Sequence, residues 1–211
     1  MTEQCIGKRE LNKQRKRAAI VEAARDSFLH QGYAATSMTA VAEKLSCSKA
    51  TMWSHFGSKE ELFCAVLDEL VGNFSDEVSD VLDSRIFSIA ALHRAGLRFL
   101  DCLLAEPSVQ LFRLVLSEGE RFPEVAEMFY DRAPAKFRRR VCAFFATHFE
   151  VEDAERLTRV VVAAILGFRS DILLRPVRPD RSEMTAFVDD LIASIAWPPE
   201  LALADVTGDE A

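Results

Sequence analysis

The residues with the clearest potential for chemistry lie in a short stretch between positions 48 and 59. Hydroxyl, amine, indole and imidazole groups follow one another closely at Lys49, Thr51, Trp53, Ser54 and His55. Such groups donate hydrogen bonds to phosphate oxygens and to the edges of bases. Their types and spacing therefore predict contact with a nucleic acid, provided that the chain folds so that they share one exposed face.

Two short helices would provide that face. Apolar residues recur at helical spacing over 41–45 and again over 52–56, with a polar break at 46–48 between them. Ser37 and Ser48 each precede one of these runs and can cap the helix that follows. Helices this short need neighbours to persist in water. The pattern predicts a helix-turn-helix motif, whose second helix enters a major groove.

The flanking sequence supplies the neighbours. Upstream, Ile20, Ala24 and Phe28 recur every four residues, and Gly32 is the residue type that most easily ends a helix. Downstream, the sequence from Ser58 to Glu61 reads as a capping box that opens an apolar-striped helix over about 59–82. The two short helices are thus expected to lie between two longer ones.

The segment from about residue 15 to residue 74 resembles the DNA-binding domain of the TetR family of transcriptional regulators. The matching positions are Ile20, Ala24, Phe28, Gly32-Tyr33, Ser37-Met38, Val41-Ala42, Ser48, Thr51-Met52, His55-Phe56 and Ser58-Lys59-Glu60-Glu61-Leu62. Two positions depart from the family, since Ala50 stands where glycine is common and Trp53 where tyrosine is common. The resemblance implies an all-α fold, with a DNA-binding domain over 13–73 (motif 37–56) and a helical effector-binding and dimerisation domain over 74–198. Residues 199–211, acidic and small, are expected to be a disordered tail.

The resemblance also places individual residues on DNA. Positions matching Thr39, Thr51, His55 and Lys59 commonly contact phosphates in this family, and Lys49 begins the helix that would meet guanine. The predicted DNA-binding set is Thr39, Ser48, Lys49, Ala50, Thr51, Trp53, Ser54, His55 and Lys59. Two alternatives stay open: Trp53 could stack on the core of its own domain, and His55 could be a core histidine.

Charge is distributed unevenly along the chain. Residues 1–60 carry ten Lys/Arg and six Asp/Glu, a net +4, whereas the remaining 151 residues carry sixteen and twenty-seven, a net −11. Four cations fall within 13–17, and the resemblance implies that they lie beside the DNA backbone. They would add affinity that is independent of sequence and sensitive to salt. The alternative is an ordinary solvated basic segment.

Composition narrows the class of protein. Hydrophobic residues make up 49% and charged residues 28% of 211 positions, as in ordinary globular proteins. No secretory signal is apparent, and the longest apolar run, 160–168, is too short to span a bilayer. Five cysteines without CxxC pairing indicate reduced thiols rather than disulfides or a zinc site. We therefore expect a cytoplasmic protein without metal or cofactor. Cys47 is expected to be apolar fill, with a redox sensor as the alternative.

The second domain has two apolar helices that could pair with another subunit. Residues 160–168 are apolar on every side, so the helix must be covered from several directions. The helix over about 181–197 is broadly apolar as well. The predicted dimer interface consists of Val160, Ala164, Gly167, Phe168, Phe187, Leu191 and Ile195. A core within one chain is the alternative.

Phenylalanines cluster between the connecting helix and these two helices. At this density they either fill a solid core or line a pocket for an apolar effector, and the sequence alone does not decide. The resemblance favours the pocket. Its predicted lining is Phe99, Phe112, Phe129, Phe137 and Phe144.

Function follows from these expectations. No Ser/His/Asp or Cys/His arrangement, HExxH, P-loop or GxGxxG motif is present, so catalysis is not expected. The leading hypothesis is a homodimeric repressor that binds a palindromic operator of double-stranded DNA and is released by an unidentified small effector. An activator, or a regulator without an effector, would have the same fold. A helical adaptor that binds only proteins is the alternative from another class.

Overall fold

The computed structural model describes residues 7–82 and 87–204, except for the side chains of 73–81 and 202–204. Within these ranges the chain forms eleven α-helices and no strand, which confirms the predicted all-α class. The helices are α1 Lys8–Gln31, α2 Met38–Lys44, α3 Lys49–His55, α4 Lys59–Leu82, α5 Ile89–Leu104, α6 Glu106–Glu118, α7 Pro123–Arg132, α8 Pro134–Phe145, α9 Val151–Leu174, α10 Arg181–Ala193 and α11 Pro199–Ala204.

The chain divides into two compact units. We call the first the head unit; it comprises the chain up to Val71 together with Val109–Arg132. We call the second the body unit; it comprises Gly72–Ser108 and the chain from Ala133 onward. The segment 109–132, which the sequence assigns to the second domain, therefore lies in the head unit.

The head unit has its own apolar core. Phe28 from α1 and Phe63 from α4 are fully buried, and their rings meet edge to face with centroids 5.0 Å apart. Leu111 and Leu114 from α6 and Val125 from α7 belong to the same cluster. Seven-residue helices such as α2 and α3 are too short to be stable alone. Their stability comes from this shared core, into which each helix buries its apolar face.

The helix ends match the signals in the sequence. The Ser37 hydroxyl accepts a hydrogen bond from Ala40 N at 3.1 Å, and the Ser48 hydroxyl accepts one from Thr51 N at 3.1 Å, so both predicted caps are confirmed. Gly32 ends α1 with φ of 88°, in the region that favours glycine.

The capping box at the start of α4 forms in a modified way. Ser58 Oγ accepts a hydrogen bond from Glu61 N, as expected. The Glu61 carboxylate reaches back one residue further than the usual pattern and accepts from Gly57 N at 2.6 Å. The N–H of Gly57, just before α4, is therefore satisfied by a carboxylate in the first turn of that helix.

The body unit is built around α5, α8, α9 and α10. Their buried residues include Leu100, Phe145, Val162 and Val188, which belong to one apolar cluster. Helix α7 ends at Arg132 and α8 starts at Pro134, so the two helices are separate. A proline at this position is compatible with the first turn of a helix but not with its interior.

The C-terminal segment differs from the expected disordered tail over 199–211. Residues 199–204 form α11, and Leu201 is buried among apolar residues of the body unit. The rest of the expected tail, residues 205–211, lies outside the described residues, as does Cys5. No helix in the described ranges combines the length and the apolar character needed to cross a membrane.

Candidate nucleic-acid interface

Helix α3 presents one buried face and one exposed face. Met52 and Phe56 are each 1% exposed and pack into the core of the head unit. The opposite face carries Lys49, Ala50, Trp53 and Ser54, all exposed. Trp53 is 53% exposed, so the indole does not stack within the core of its own domain. An indole held outward among polar residues has an apolar surface and one N–H donor available to a partner.

Hydroxyl groups at the start of α3 already make hydrogen bonds within the helix. The Oγ atoms of Ser48 and Thr51 lie 2.9 Å apart, and Ser54 Oγ donates to the Thr51 carbonyl at 2.7 Å. These bonds fix the side-chain rotamers of the exposed face. Because the Ser54 hydroxyl proton is used in this bond, Ser54 has to rotate before it can donate to a ligand.

His55 lies where α3 meets the basic segment of α1. The ring is partly buried, and its Nδ1 is enclosed without a hydrogen-bond partner among the described residues. Burial lowers the pKa of His55 below its ordinary value, and the positive charges of Lys13, Lys16 and Arg17 lower it further. The structure therefore brings three of the four cations in 13–17 within electrostatic range of the predicted recognition helix.

A cation–π contact lies at the same junction. The Arg17 guanidinium carbon is 4.8 Å from the centroid of the Phe56 ring. Residues 8–19 of α1 are exposed, and this contact links their basic segment to the residue that ends α3. The composition of 13–17 predicted the positive charge, but nothing in the sequence pointed to Phe56 as its anchor.

Lys59 and Thr39 occupy the edges of this surface. Lys59 is partly buried; its Nζ lies 4.2 Å above the Tyr33 ring and donates to the Ala34 carbonyl at 3.4 Å. Burial lowers the pKa of Lys59, and the nearby carboxylates of Glu118 and Glu60 partly oppose that shift. Thr39 is partly buried in the first turn of α2.

The turn of the motif contains a residue whose backbone conformation its sequence does not reveal. Ser46 has φ of 51°, the single non-glycine residue with positive φ in the described ranges. That conformation places Cβ close to the following carbonyl and costs about 1–2 kcal/mol for most L-residues. Next to it, Cys47 is partly buried against the core of the head unit, as a small apolar side chain would be.

The five phenylalanines of the predicted pocket are divided between the two units. Phe112 and Phe129 belong to the head unit, where Phe129 packs against the apolar core. In the body unit, Phe99 and Phe137 stack with ring centroids 3.9 Å apart, and Phe144 is buried. A ligand among the last three would have to separate rings that are in contact. An open groove of about 450 Å³ lies elsewhere in the body unit, lined by Ile89, Ala90, His93, Arg94, Asp189, Ile192 and Ala193.

The predicted dimer residues form an incompletely covered apolar face on α9 and α10 and just beyond the end of α10. Val160 is 48% exposed, whereas Val161 and Val162 on the opposite side of α9 are buried. Phe168 and Phe187 stack in parallel with centroids 4.0 Å apart, and both rings are partly exposed. Ala164, Gly167, Leu191 and Ile195 are likewise partly or fully exposed.

Helices α2 and α3 are short, capped and joined by a tight turn, and α3 exposes a polar face beside the basic segment of α1. This arrangement defines a helix-turn-helix protein. A family model for bacterial regulatory proteins of the tetR family matches residues 20–66. A second model, for the C-terminal domain of AefR-like transcriptional repressors, matches residues 90–151. The chain belongs to the TetR family of transcriptional regulators, a class without enzymatic activity.

Individual relatives agree with this assignment. The transcriptional repressor Rv3405c of Mycobacterium tuberculosis is 34% identical over 117 residues, which cover 53% of this chain and 55% of the relative. The transcriptional activator FasR of Mycolicibacterium smegmatis is 31% identical over 105 residues, covering 50% and 47%. The chain thus spans about half the length of these curated relatives.

A solved structure extends the likeness over most of the chain. The crystal structure of a TetR-family regulator from Mesorhizobium loti superimposes with a TM-score of 0.74 at 22% identity. It covers 86% of this chain and 95% of the other. At this identity the likeness concerns the fold, and it confirms the TetR-like arrangement of helices.

Proposed function

We propose that this protein is a DNA-binding transcriptional regulator that acts in the cytoplasm as a homodimeric repressor. The observation that carries the proposal is the orientation of α3. Its apolar side chains are buried in the head unit, its polar face is exposed, and Lys13, Lys16 and Arg17 lie close to its end. Helix α3 would enter the major groove, while the basic segment of α1 would neutralise phosphates.

We assign the exposed residues to two roles. Lys49 and Ala50 begin α3 and would face base edges, with Lys49 as a donor to guanine and Ala50 against a thymine methyl. Phosphates would be contacted by residues on α3 and beside it that can donate hydrogen bonds, namely Thr39, Ser48, Thr51, Trp53, Ser54, His55 and Lys59. Base contacts would set specificity and phosphate contacts would set register.

The test is a comparison of two lysine variants. Lys49→Ala removes a cation from the proposed recognition helix, whereas Lys136→Ala removes one from an exposed position in the body unit. Affinities for symmetric genomic fragments and for random duplexes of equal length are measured by fluorescence anisotropy over a salt series. Loss of a base contact is expected to weaken binding of the preferred fragment by roughly 5- to 100-fold. The Lys136 variant should bind like the wild type.

Two results would count against the proposal. A wild-type protein that binds symmetric and random duplexes equally would refute sequence recognition. A protein without any salt-dependent DNA binding would favour the alternative of a helical adaptor for other proteins. Reporter transcription from the preferred fragment then decides between a repressor and an activator, since relatives of both kinds exist.

Dimerisation is proposed from the apolar face on α9 and α10. A twofold dimer would present two α3 helices, so the operator would be a near-palindrome with half-sites separated by whole helical turns. Sedimentation at micromolar concentration should show a dimer. A monomer would refute this part of the proposal, because the exposed apolar face would then have no partner.

A small effector, largely apolar, is proposed to bind the body unit. An effector changes DNA affinity only through its different affinities for two conformations. A coupling of about 1–3 kcal/mol would alter DNA affinity roughly 5- to 150-fold. The test is a thermal-shift screen with apolar compounds, followed by operator binding with each hit. Phe99→Leu should weaken a ligand that separates the Phe99 and Phe137 rings, but not one bound in the groove beside His93.

A further inference from the structure

The loop between α1 and α2 is held by one carboxylate from a distant part of the chain. Glu118 is the last residue of α6, and its Oε2 accepts a hydrogen bond from Ala34 N at 2.8 Å. Its Oε1 occupies the position where a side chain on Gly32 would begin, so any Cβ there would collide with it. Both oxygens of this carboxylate therefore lie against the loop of residues 32–37.

The Ala34 residue is held from both sides of its backbone. Glu118 accepts from its N–H, and Lys59 donates to its carbonyl at 3.4 Å. Lys59 also lies over the ring of Tyr33, whose hydroxyl donates to Glu60 at 3.2 Å. Burial lowers the pKa of Lys59, and the nearby carboxylate of Glu118 opposes that shift by favouring the charged amine. The two bonds to Ala34 fix the peptide groups on either side of this residue, which is exposed, between the buried side chains of Tyr33 and Thr36.

The location of Glu118 indicates that the carboxylate serves the loop and not its own helix. A negative charge at a helix C-terminus is repelled by the helix dipole, typically by about 0.3–1 kcal/mol. Helix α6 has no basic residue in its last turn to offset that repulsion. The favourable contacts of this carboxylate are instead with the loop before α2.

The loop in turn sets the start of the helix-turn-helix motif. Thr36 Oγ1 donates to the Gly32 carbonyl at 2.8 Å, and Ser37 caps α2 directly afterwards. Thr39, a proposed phosphate contact, lies in the first turn of α2. A shift of the loop would therefore move the N-terminus of α2, and with it the angle of the motif.

We propose that Glu118 is a positioning residue for DNA recognition, which fixes the α1–α2 loop and so the orientation of α2 and α3. This inference rests on the proposed function in DNA binding. Glu118 would touch no DNA itself. Its loss should reduce discrimination between operator and random DNA without altering the number of phosphates neutralised, because base contacts depend on orientation more strictly than phosphate contacts do.

The experiment compares three variants with the wild type. Glu118→Ala removes the contact, Glu118→Gln keeps a carbonyl oxygen able to accept from Ala34 N, and Glu120→Ala removes the same charge from an exposed neighbouring position. Affinity for the operator and for random duplex of equal length is measured by anisotropy at several salt concentrations. Melting temperature and far-UV circular dichroism are recorded for each protein.

Glu118→Ala removes the hydrogen bond between Ala34 N and Glu118 from the head unit of each subunit of the proposed dimer. This loss is expected to weaken operator binding by roughly 10-fold. Random-duplex affinity and the salt slope should stay within about twofold of the wild type, since no phosphate contact is removed. Glu118→Gln should retain most of the operator affinity, and Glu120→Ala all of it.

Three outcomes would overturn the inference. Glu118→Ala that discriminates like the wild type would show that the loop is positioned without it. An equal loss of operator and random-duplex binding, together with a lower melting temperature, would show a merely structural role. A wild-type protein without operator preference would refute the proposed function and this inference together, whereas the first two outcomes leave the proposed function intact.

Discussion

Replacing Gly32 by alanine should destabilise the protein by about 2 kcal/mol. The backbone at this position has φ of 88° and ψ of 168°, a conformation essentially restricted to glycine. An alanine Cβ would also collide with Glu118 Oε1 and displace the carboxylate from Ala34 N. The substitution therefore strains the backbone and removes a hydrogen bond at the same time.

Three contributions make up this magnitude. Backbone strain of this kind costs about 1–3 kcal/mol. Loss of the hydrogen bond between Ala34 and Glu118 adds about 1 kcal/mol, the usual net value for such a contact. The lower freedom of alanine in the unfolded chain returns about 0.4–1 kcal/mol. A net loss near 2 kcal/mol should lower the melting temperature by roughly 4–8 °C in a chain of this length.

The assay is urea unfolding followed by circular dichroism at fixed protein concentration, with Gly32→Ala, Glu118→Ala and the double variant. In the Glu118→Ala background the collision is absent, so Gly32→Ala should cost about 1 kcal/mol less than in the wild type. Ser46→Gly is the control of opposite sign, because it relieves a positive φ of 51° and should stabilise by about 0.5 kcal/mol. A fully tolerated alanine at 32, or strict additivity in the double variant, would refute the reasoning.

Four further variants test Trp53, His55 and the proposed dimer face. Trp53→Ala should weaken operator binding by roughly 10-fold with little loss of stability, since the indole is 53% exposed. If Trp53→Phe binds the operator as tightly as the wild type, the indole N–H is not one of the DNA contacts. The pKa of His55 is lower in the folded protein than in the unfolded chain, so the imidazole is protonated in the unfolded chain first as pH falls. The free energy of unfolding should therefore be highest above pH 6.5 and should decline as pH falls towards the pKa of the folded state. Urea midpoints between pH 7.5 and 5 should show a shallower decline for His55→Gln, and identical slopes would contradict the assignment. Phe187→Glu should sediment as a folded monomer, because it places a charge beside Phe168 on the proposed dimer face; a dimer would exclude that face as the interface.

Much of the fold could be predicted because local signals agreed with it. Gly32, Ser37 and Ser48 mark helix ends through backbone geometry and hydrogen bonds that depend on near neighbours only. The break before Pro134 follows in the same way from the missing N–H of proline. Features governed by residues close in the chain can therefore be predicted from the order of the amino acids alone.

Features that depend on distant partners could not be predicted in this way. The apolar stripe of 109–132 shows that α6 and α7 bury one face, but periodicity is the same whichever core receives that face. The contact between Glu118 and Ala34 joins residues 84 positions apart. Phenylalanine density predicted burial correctly for Phe99 and Phe144, yet it could not distinguish a ligand pocket from rings that pack on each other.

The inclusion of 109–132 in the head unit has a consequence for how such regulators can be rearranged. A gene fragment that stops near codon 73 would encode α1 to α3 and most of α4 without Leu111, Leu114 and Val125, three buried members of their core. Its product would expose the apolar surface that these side chains cover, and a small module with an incomplete interior is marginally stable at best. Transplanting operator specificity from one regulator to another by a single crossover would therefore mismatch the two halves of one core, and a working chimera would need compatible residues on both sides of the cut.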